Sequence, residues 1–141
     1  MLKRIIYLIL LLVIFSCEKN NNKPNIVFIL ADDLGYGDLS SYGSETIETT
    51  NIDKLAEDGV KLTSYYAAQP VCSASRAAIL TGAYANRIGI YNAFGPTSNS
   101  GINSNEYTLA EMLKDNGYET GIFGKWHLGS KKEFFPTNHG F

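Results

Sequence analysis

The sequence predicts an α/β fold with a largely parallel central sheet, and three features of the chain support this prediction. Short apolar runs at 25–30 and 118–123 are typical of strands buried on both faces of a sheet. Segments with helical periodicity alternate with the predicted strands. Polar residues follow these strands, and in open parallel sheets ligands bind beyond the carboxyl ends of the strands.

Three segments of the chain are predicted to form strands. The run at 25–30 (NIVFIL) ends at Ala31-Asp32-Asp33 and leads into a glycine-rich stretch. Residues 60–66 alternate apolar and polar side chains, which predicts a second strand. The segment at 96–105 is rich in serine, asparagine and glycine and is expected to be a loop. The third strand, 118–123, leads into Gly124-Lys125-Trp126-His127.

Three helices are expected between these strands. The first covers 51–58 and the second covers 73–81, and each is followed by a glycine of the kind that ends helices. A third begins at Thr108, because Glu111 three residues later completes a capping-box signature, and it stops at Gly117.

The first residues carry a targeting signal. Lys3 and Arg4 form a short positive region, and the apolar run that follows them ends at Phe15. This run is shorter than the roughly 20 residues of a spanning helix, so a processed signal peptide is predicted. The run ends in Ser16-Cys17, which resembles a bacterial lipobox. We predict lipidation of Cys17, with cleavage by an ordinary signal peptidase as the alternative because Phe15 is bulky for a lipobox.

These boundaries define the predicted organisation. Residues 1–17 form the lipoprotein signal peptide, 18–23 a polar tether, and 24–141 the N-terminal part of a catalytic domain. The mature protein is expected in the cell envelope, anchored to a membrane through lipid and either periplasmic or surface-exposed. No closing helix or polar tail follows 139–141, so we expect the domain to continue and this part alone to be inactive.

Composition excludes some classes of function. The chain has 141 residues, a net charge of −2, 45% hydrophobic residues and 18% charged residues, which is typical of an ordinary globular protein. Because the charge is nearly balanced and no basic stripe is present, a nucleic-acid partner is not expected.

Asp32 and Asp33 are candidate metal ligands. They come directly after a predicted strand, and two adjacent carboxylates suit a hard cation such as calcium, which takes six to eight oxygen ligands. The alternative is a pair of capping or turn residues. The chain offers no other obvious oxygen ligands, so a complete shell would need further residues.

Cys72 and Arg76 are candidate oxyanion-binding residues. Cys72 lies at the predicted start of a helix, where free backbone N–H groups and the helix dipole favour an anion such as sulfate or phosphate. Arg76, one turn later, can lie on the same face and bind an oxyanion through two hydrogen bonds. A buried, inert cysteine, or one disulfide between Cys17 and Cys72, are the alternatives.

Lys125 and His127 flank Trp126 just after a predicted strand. Alternation along an extended chain sends both polar side chains to the same side. A lysine and a histidine in one cleft suit charge stabilisation and proton transfer. The alternative for His127 is a core histidine with satisfied hydrogen bonds. His139 has no evident partner and is expected to be structural.

Three motifs resemble the formylglycine-dependent sulfatases of the alkaline phosphatase superfamily. Residues 24–38 (PNIVFILADDLGYGD) are similar to their N-terminal motif, 71–82 (VCSASRAAILTG) to their formylglycine motif, and 117–129 (GYETGIFGKWHLG) to their second signature. Residues 87–91 and 135–141 look most like the branch of arylsulfatase A and N-acetylgalactosamine-6-sulfatase. The resemblance implies the N-terminal part of an alkaline-phosphatase-like sandwich with a mostly parallel sheet.

The resemblance also implies a mechanism. Cys72 would be oxidised by a maturase to formylglycine, whose hydrated aldehyde attacks a sulfate ester and then releases sulfate. Asp32, Asp33 and the modified Cys72 would hold calcium, Arg76 and Lys125 would neutralise charge, and His127 would take a proton. The substrates implied are aryl sulfates, other sulfated small molecules or sulfated glycans.

Ala74 departs from the family pattern, because the sulfatases usually have proline at this position. The identity of the enzyme that would convert Cys72 to formylglycine is therefore open. Three rival functions also remain. The protein could hydrolyse phosphonates or phosphate monoesters, bind glycans without catalysis, or use Cys72 as an unmodified thiol.

Overall fold

The computed structural model describes residues 23–141. They fall into two compact units, the first ending at Ala31 and the second comprising Asp32–Phe141. The predicted signal peptide and Cys17 lie outside the described residues. Within 23–141, no helix has both the length and the apolar character needed to cross a membrane.

All three predicted helices are present in the second unit. Helix α1 covers Thr50–Asp58, α2 covers Cys72–Thr81, and α3 covers Leu109–Asp115. Short 3-10 helices connect them and follow them, at Tyr36–Asp38, Ser40–Tyr42, Ala85–Ile88, Lys132–Phe134 and Pro136–Asn138.

Local chemistry explains how these helices begin and end. The predicted capping box of α3 is confirmed, since the Thr108 hydroxyl accepts from the Glu111 N–H at 3.2 Å while the Glu111 carboxylate accepts from the Thr108 N–H at 2.8 Å. Helix α2 ends at Gly82, which has φ 66° and donates its N–H to the Ala78 carbonyl. A residue without a Cβ adopts this left-handed conformation without steric cost.

The predicted strands are not formed among residues 23–141. Residues 25–30 and 118–123 are without regular structure, and residues 60–66 include a turn at 63–64. Apolar patterning reports which side chains favour burial, whereas a strand also needs a neighbouring strand to complete its hydrogen bonds. The described residues do not supply that pairing. Most apolar side chains of these segments are exposed, with Val60 at 84% and Phe123 at 98%, and Ile122 is half-buried.

The core of the second unit is built around α2. Ala74 and Ala77 are fully buried on one face of this helix and pack with Ile102 and Leu128. Because Ala74 and Ala77 are small, the loops that carry Ile102 and Leu128 can approach the backbone of α2 closely. Burial of this face fixes the first turn of α2, which carries Cys72, against the segment that carries Lys125 and His127.

Candidate active site

The candidate nucleophile lies in the first turn of α2. Cys72 is the first helical residue, is partly buried and is a free cysteine among the described residues. Val71, the N-cap residue, makes no side-chain cap, and the first backbone bond of the helix is donated by Ser75 to the Val71 carbonyl. The N–H groups of the first turn therefore point away from the helix without intrahelical acceptors, a favourable setting for an anion.

Asp32 joins two cations from distant parts of the chain. Its Oδ1 accepts from Nη2 of Arg76 at 2.9 Å, and its Oδ2 accepts from Nζ of Lys125 at 2.6 Å. Arg76 also donates through Nη1 to the Lys125 carbonyl at 2.7 Å. We call Asp32, Arg76 and Lys125 the Asp32 cluster. The structure thus brings together residues from all three polar groups that the sequence singled out.

Hydrogen bonds within the Asp32 cluster favour the charged forms of Asp32 and Lys125. The hydrogen bonds from Lys125 and then Arg76 hold the pKa of Asp32 below its usual value. The hydrogen bond to Asp32 raises the pKa of Lys125, and the thiolate form of Cys72 adds to that rise through its charge. Lys125 is therefore within electrostatic reach of the candidate nucleophile.

Arg76 retains one unused donor. Its side chain is 11% exposed, and its buried Nε–H finds no acceptor among the described residues. A buried donor without a partner costs stability, so an anion that accepts from it would be favoured. Because Arg76 lies one turn after Cys72 on α2, that donor belongs to the same helix face.

His127 is held by backbone groups. Its Nε2 lies 2.7 Å from the carbonyl oxygen of Phe94, and its buried Nδ1 has no partner among the described residues. Its backbone adopts φ 60°, which is uncommon for a residue other than glycine and costs roughly 1–2 kcal/mol. Conformations of this kind persist where the surrounding structure enforces them, often at functional sites.

Ser73 also lies at this site, although it was not predicted from the sequence. This residue is fully buried, its hydroxyl donates to the His127 carbonyl at 2.7 Å, and it accepts from the Phe94 N–H at 3.0 Å. The feature of the sequence that could have identified Ser73 is its position four residues before Ala77 in the predicted helix. Ser73 shares the buried face of α2 with Ala77, and a hydroxyl on a buried face requires hydrogen-bond partners.

Asp33 adopts φ 57°. Together with His127, it is one of two residues other than glycine that have a positive φ in the described part of the chain. The adjacent carboxylates of Asp32 and Asp33 are hard oxygen donors, and each Asp32 oxygen keeps a lone pair beyond its bond to a cation. Within 23–141, no three His, Cys, Asp or Glu side chains are arranged to hold a metal ion. The carboxylates of Asp32 and Asp33 suit calcium chemically but supply only part of its coordination shell. Calcium binding by Asp32, Asp33 and Cys72 stays a prediction.

The sequence model of the sulfatase family matches residues 24–141. The chain belongs to the sulfatase family. Human arylsulfatase G is 47% identical over 126 residues, covering 89% of this chain and 24% of that protein. Bovine arylsulfatase A is 50% identical over 121 residues, covering 84% of this chain and 24% of that protein. The chain thus spans about a quarter of the length of these sulfatases.

Solved structures agree with the family assignment. The crystal structure of Ps i-CgsB matches with a TM-score of 0.81 at 43% identity, covering 85% of this chain and 27% of that one. A second crystal structure of the same protein holds k-i-k-neocarrahexaose. A structure described under the metabolism of glycosaminoglycans by Bacteroides thetaiotaomicron matches with a TM-score of 0.78 at 40% identity, covering 86% of this chain and 27% of that one. The predicted alkaline-phosphatase-like α/β fold class is confirmed by these structures, although the predicted strands are not formed within 23–141.

Proposed function

We propose that this sulfatase-family chain carries the nucleophile half of an active site that hydrolyses sulfate esters. The observation that carries the proposal is that Asp32 binds both Lys125 and Arg76, and that Arg76 lies one helical turn after Cys72. This arrangement concentrates positive charge and free N–H groups where a sulfate group would be attacked. Family membership supports the same reaction, since the relatives are named arylsulfatases.

The proposed nucleophile is formylglycine made from Cys72 by a maturase. Its hydrated aldehyde supplies two hydroxyls, one that attacks sulfur as the alcohol leaves and one that loses its proton as sulfate is expelled and the aldehyde reforms. Serine at this position would have a single hydroxyl and no such route to release. The second hydroxyl of the hydrated aldehyde is therefore the reason that Cys72 must be modified for sulfate to be released.

The chain's own residues have distinct proposed tasks. The first turn of α2 and the unused Nε–H of Arg76 orient the sulfate oxygens. Lys125 offsets the negative charge that develops at the nucleophile, a role supported by its place in the Asp32 cluster next to Arg76, one helical turn after Cys72. His127 takes a proton through the ring nitrogen that is not engaged by Phe94.

Calcium is the proposed cofactor, held in part by Asp32 and Asp33, with the modified Cys72 as a further ligand. Bound there, the ion would act as a Lewis acid on the sulfate group. Asp32 would share its carboxylate between the ion and the two cations of the Asp32 cluster, so it would couple the metal to Arg76 and Lys125.

We propose aryl or carbohydrate sulfates as the substrate class. The relatives named arylsulfatases support the first, and the neocarrahexaose bound to Ps i-CgsB supports a glycan substrate. We also propose that the protein is a lipid-anchored component of the cell envelope, from the lipobox-like Ser16-Cys17. An anchored sulfatase of this kind would meet polymeric substrates outside the cytoplasm.

Two measurements on the full-length protein test this function. Mass spectrometry of the peptide that contains Cys72, with a carbonyl-reactive label, should show formylglycine. Turnover of an aryl sulfate should exceed that of the matching aryl phosphate. A fully active preparation in which Cys72 alkylates as a free thiol would rule out the nucleophile, and a preference for the phosphate would indicate a phosphohydrolase.

Cys72→Ser separates attack from release. In a host that does not modify serine, this variant should react at most once and retain covalently bound sulfate. Repeated turnover by Cys72→Ser would require a different nucleophile.

A further inference from the structure

Ser73, Phe94 and His127 form a closed circuit of hydrogen bonds. The Ser73 hydroxyl donates to the His127 carbonyl at 2.7 Å, the Phe94 N–H donates to the Ser73 oxygen at 3.0 Å, and the Phe94 carbonyl lies 2.7 Å from His127 Nε2. One buried serine thus connects α2, the Phe94 loop and the His127 segment.

The circuit determines which ring nitrogen carries the proton. A backbone carbonyl can only accept, so the contact with Phe94 is a hydrogen bond only when Nε2 of His127 is protonated. In the neutral ring the lone pair then lies on Nδ1. That atom is buried and has no partner within residues 23–141, so no described group competes for a proton there.

The circuit also supports an unfavourable backbone conformation. His127 adopts φ 60°, and its carbonyl is the group that Ser73 holds. Because Ser73 is fully buried in the first turn of α2, its hydroxyl has little freedom to move. The position of the His127 ring is therefore tied to the helix that carries Cys72.

We propose that Ser73 is a positioning residue for His127, acting through the Phe94 backbone to fix the Nε2–H tautomer and to leave Nδ1 as the nitrogen that accepts a proton. The role of Nδ1 as a proton acceptor in catalysis rests on the proposed function, whereas the Nε2–H tautomer of His127 does not. A histidine held in the wrong tautomer loses most of its value as a base, as in the serine protease triad.

The tautomer is measured directly. Full-length protein labelled with 15N at histidine, with His127 assigned through His127→Gln, is examined by long-range 1H–15N correlation spectra at a pH where the ring is neutral. We expect the pattern of a protonated Nε2 and an unprotonated Nδ1. A protonated Nδ1 in the wild-type protein would overturn the proposal whatever the activity.

Variants of the serine test its role. Ser73→Ala should lower kcat roughly 10- to 100-fold with little change in KM, in line with the loss of partners that orient functional histidines. The His127 spectrum should lose its single-tautomer pattern, and Ser73→Thr, which keeps the hydroxyl, should restore both. Ser75→Ala, in the same helix, is the control, and all rates are expressed per formylglycine because both serines lie in the motif that a maturase would read.

The outcomes separate this proposal from the proposed function. If Ser73→Ala keeps its kcat and a pure Nε2–H tautomer, Ser73 does not position His127. If the wild-type protein shows the Nε2–H tautomer but does not hydrolyse sulfate esters, the sulfatase proposal fails while the tautomer assignment stands. Should Ser73→Ala fail to fold, the wild-type spectrum still decides the tautomer.

Discussion

The ammonium group of Lys125 lies 2.6 Å from the carboxylate of Asp32, although 93 positions separate the two residues in the chain. The same carboxylate binds Arg76 of α2, so three distant segments meet at one anionic group. Two cations on a single carboxylate leave a net positive charge at the cluster. Arg76 places part of that charge one turn after Cys72 on α2, the helix at which an anionic substrate is proposed to bind.

In the full-length protein, Lys125→Ala should therefore lower kcat/KM by about 10²- to 10³-fold, the usual cost of removing one group that stabilises charge in a transition state. Lys125→Arg should retain part of the activity, since it keeps the charge but changes the geometry. Lys54→Ala is the matched control. Lys54 pairs with Asp58 at 3.1 Å on an exposed surface, and its loss should leave the rate unchanged. Equal rates for Lys125→Ala and Lys54→Ala would exclude the proposed role.

In the full-length protein, Asp33→Ala should reduce the calcium bound per protein molecule and abolish activity without unfolding the protein. A carboxylate ligand contributes both charge and an oxygen donor, and alanine supplies neither. Calcium content after dialysis and the far-ultraviolet circular dichroism spectrum are the two measurements. Asp58→Ala, which removes an exposed carboxylate of α1, should keep full metal content. Full activity after thorough chelation would contradict the metal role.

Gly140→Ala should destabilise the protein by roughly 2–4 kcal/mol, because two costs combine. Gly140 has φ 89°, and an added Cβ would lie 2.4 Å from the Glu111 nitrogen. Gly82→Ala has the left-handed backbone, φ 66°, but no atom within 4 Å, so it should cost about 1 kcal/mol. Gly37→Ala has neither problem and should be neutral within about 0.5 kcal/mol.

Urea unfolding of the full-length protein measures these differences. The urea midpoint of unfolding should be lowest for Gly140→Ala, intermediate for Gly82→Ala and highest for Gly37→Ala. If Gly140→Ala were as stable as Gly37→Ala, the close packing of Gly140 on α3 would be incorrect.

His139 should make stability depend on pH. Its side chain is fully buried, and burial lowers its pKa from the ordinary value of 6.5, although the charge of Glu111 and the backbone of Glu133 oppose the shift. The unfolded chain therefore binds a proton more readily than the folded one. The stability contribution is present in full above about pH 6.5 and declines as the pH falls below that value.

His139→Leu removes this titration. The difference in thermal midpoint between pH 8 and pH 5.5 should be smaller for His139→Leu than for the wild-type protein. An identical difference in the two proteins would mean that His139 does not contribute to the acid sensitivity.

Cys17→Ala should release the protein from the membrane fraction. The short apolar run before Cys17 is too short to span a bilayer, so retention would depend on lipid. Fractionation followed by immunoblotting measures the distribution, and Ser16→Ala, which keeps the cysteine, is the control. A Cys17→Ala protein that still sediments with membranes and retains its first residues would indicate a helical anchor instead.

The sequence by itself determined the helices and the identity of the candidate site residues. Helix α3 was predictable because its capping box involves residues three positions apart, Thr108 and Glu111, and such local hydrogen bonds do not depend on the rest of the fold. Asp32, Cys72, Arg76 and Lys125 could be singled out because each lies in a motif whose residue types suit oxyanion or metal chemistry.

Only the tertiary structure decided which of these residues meet and how they are held. Asp32 contacts Arg76 and Lys125, but spacing along the chain could not show that one carboxylate bridges both cations. The same holds for Ser73, since its partners lie 21 and 54 positions away and bind through backbone atoms that have no sequence signature. The strands were mispredicted within 23–141 for a related reason. Apolar patterning is local, whereas a sheet forms only where a second strand completes the hydrogen bonds of the first.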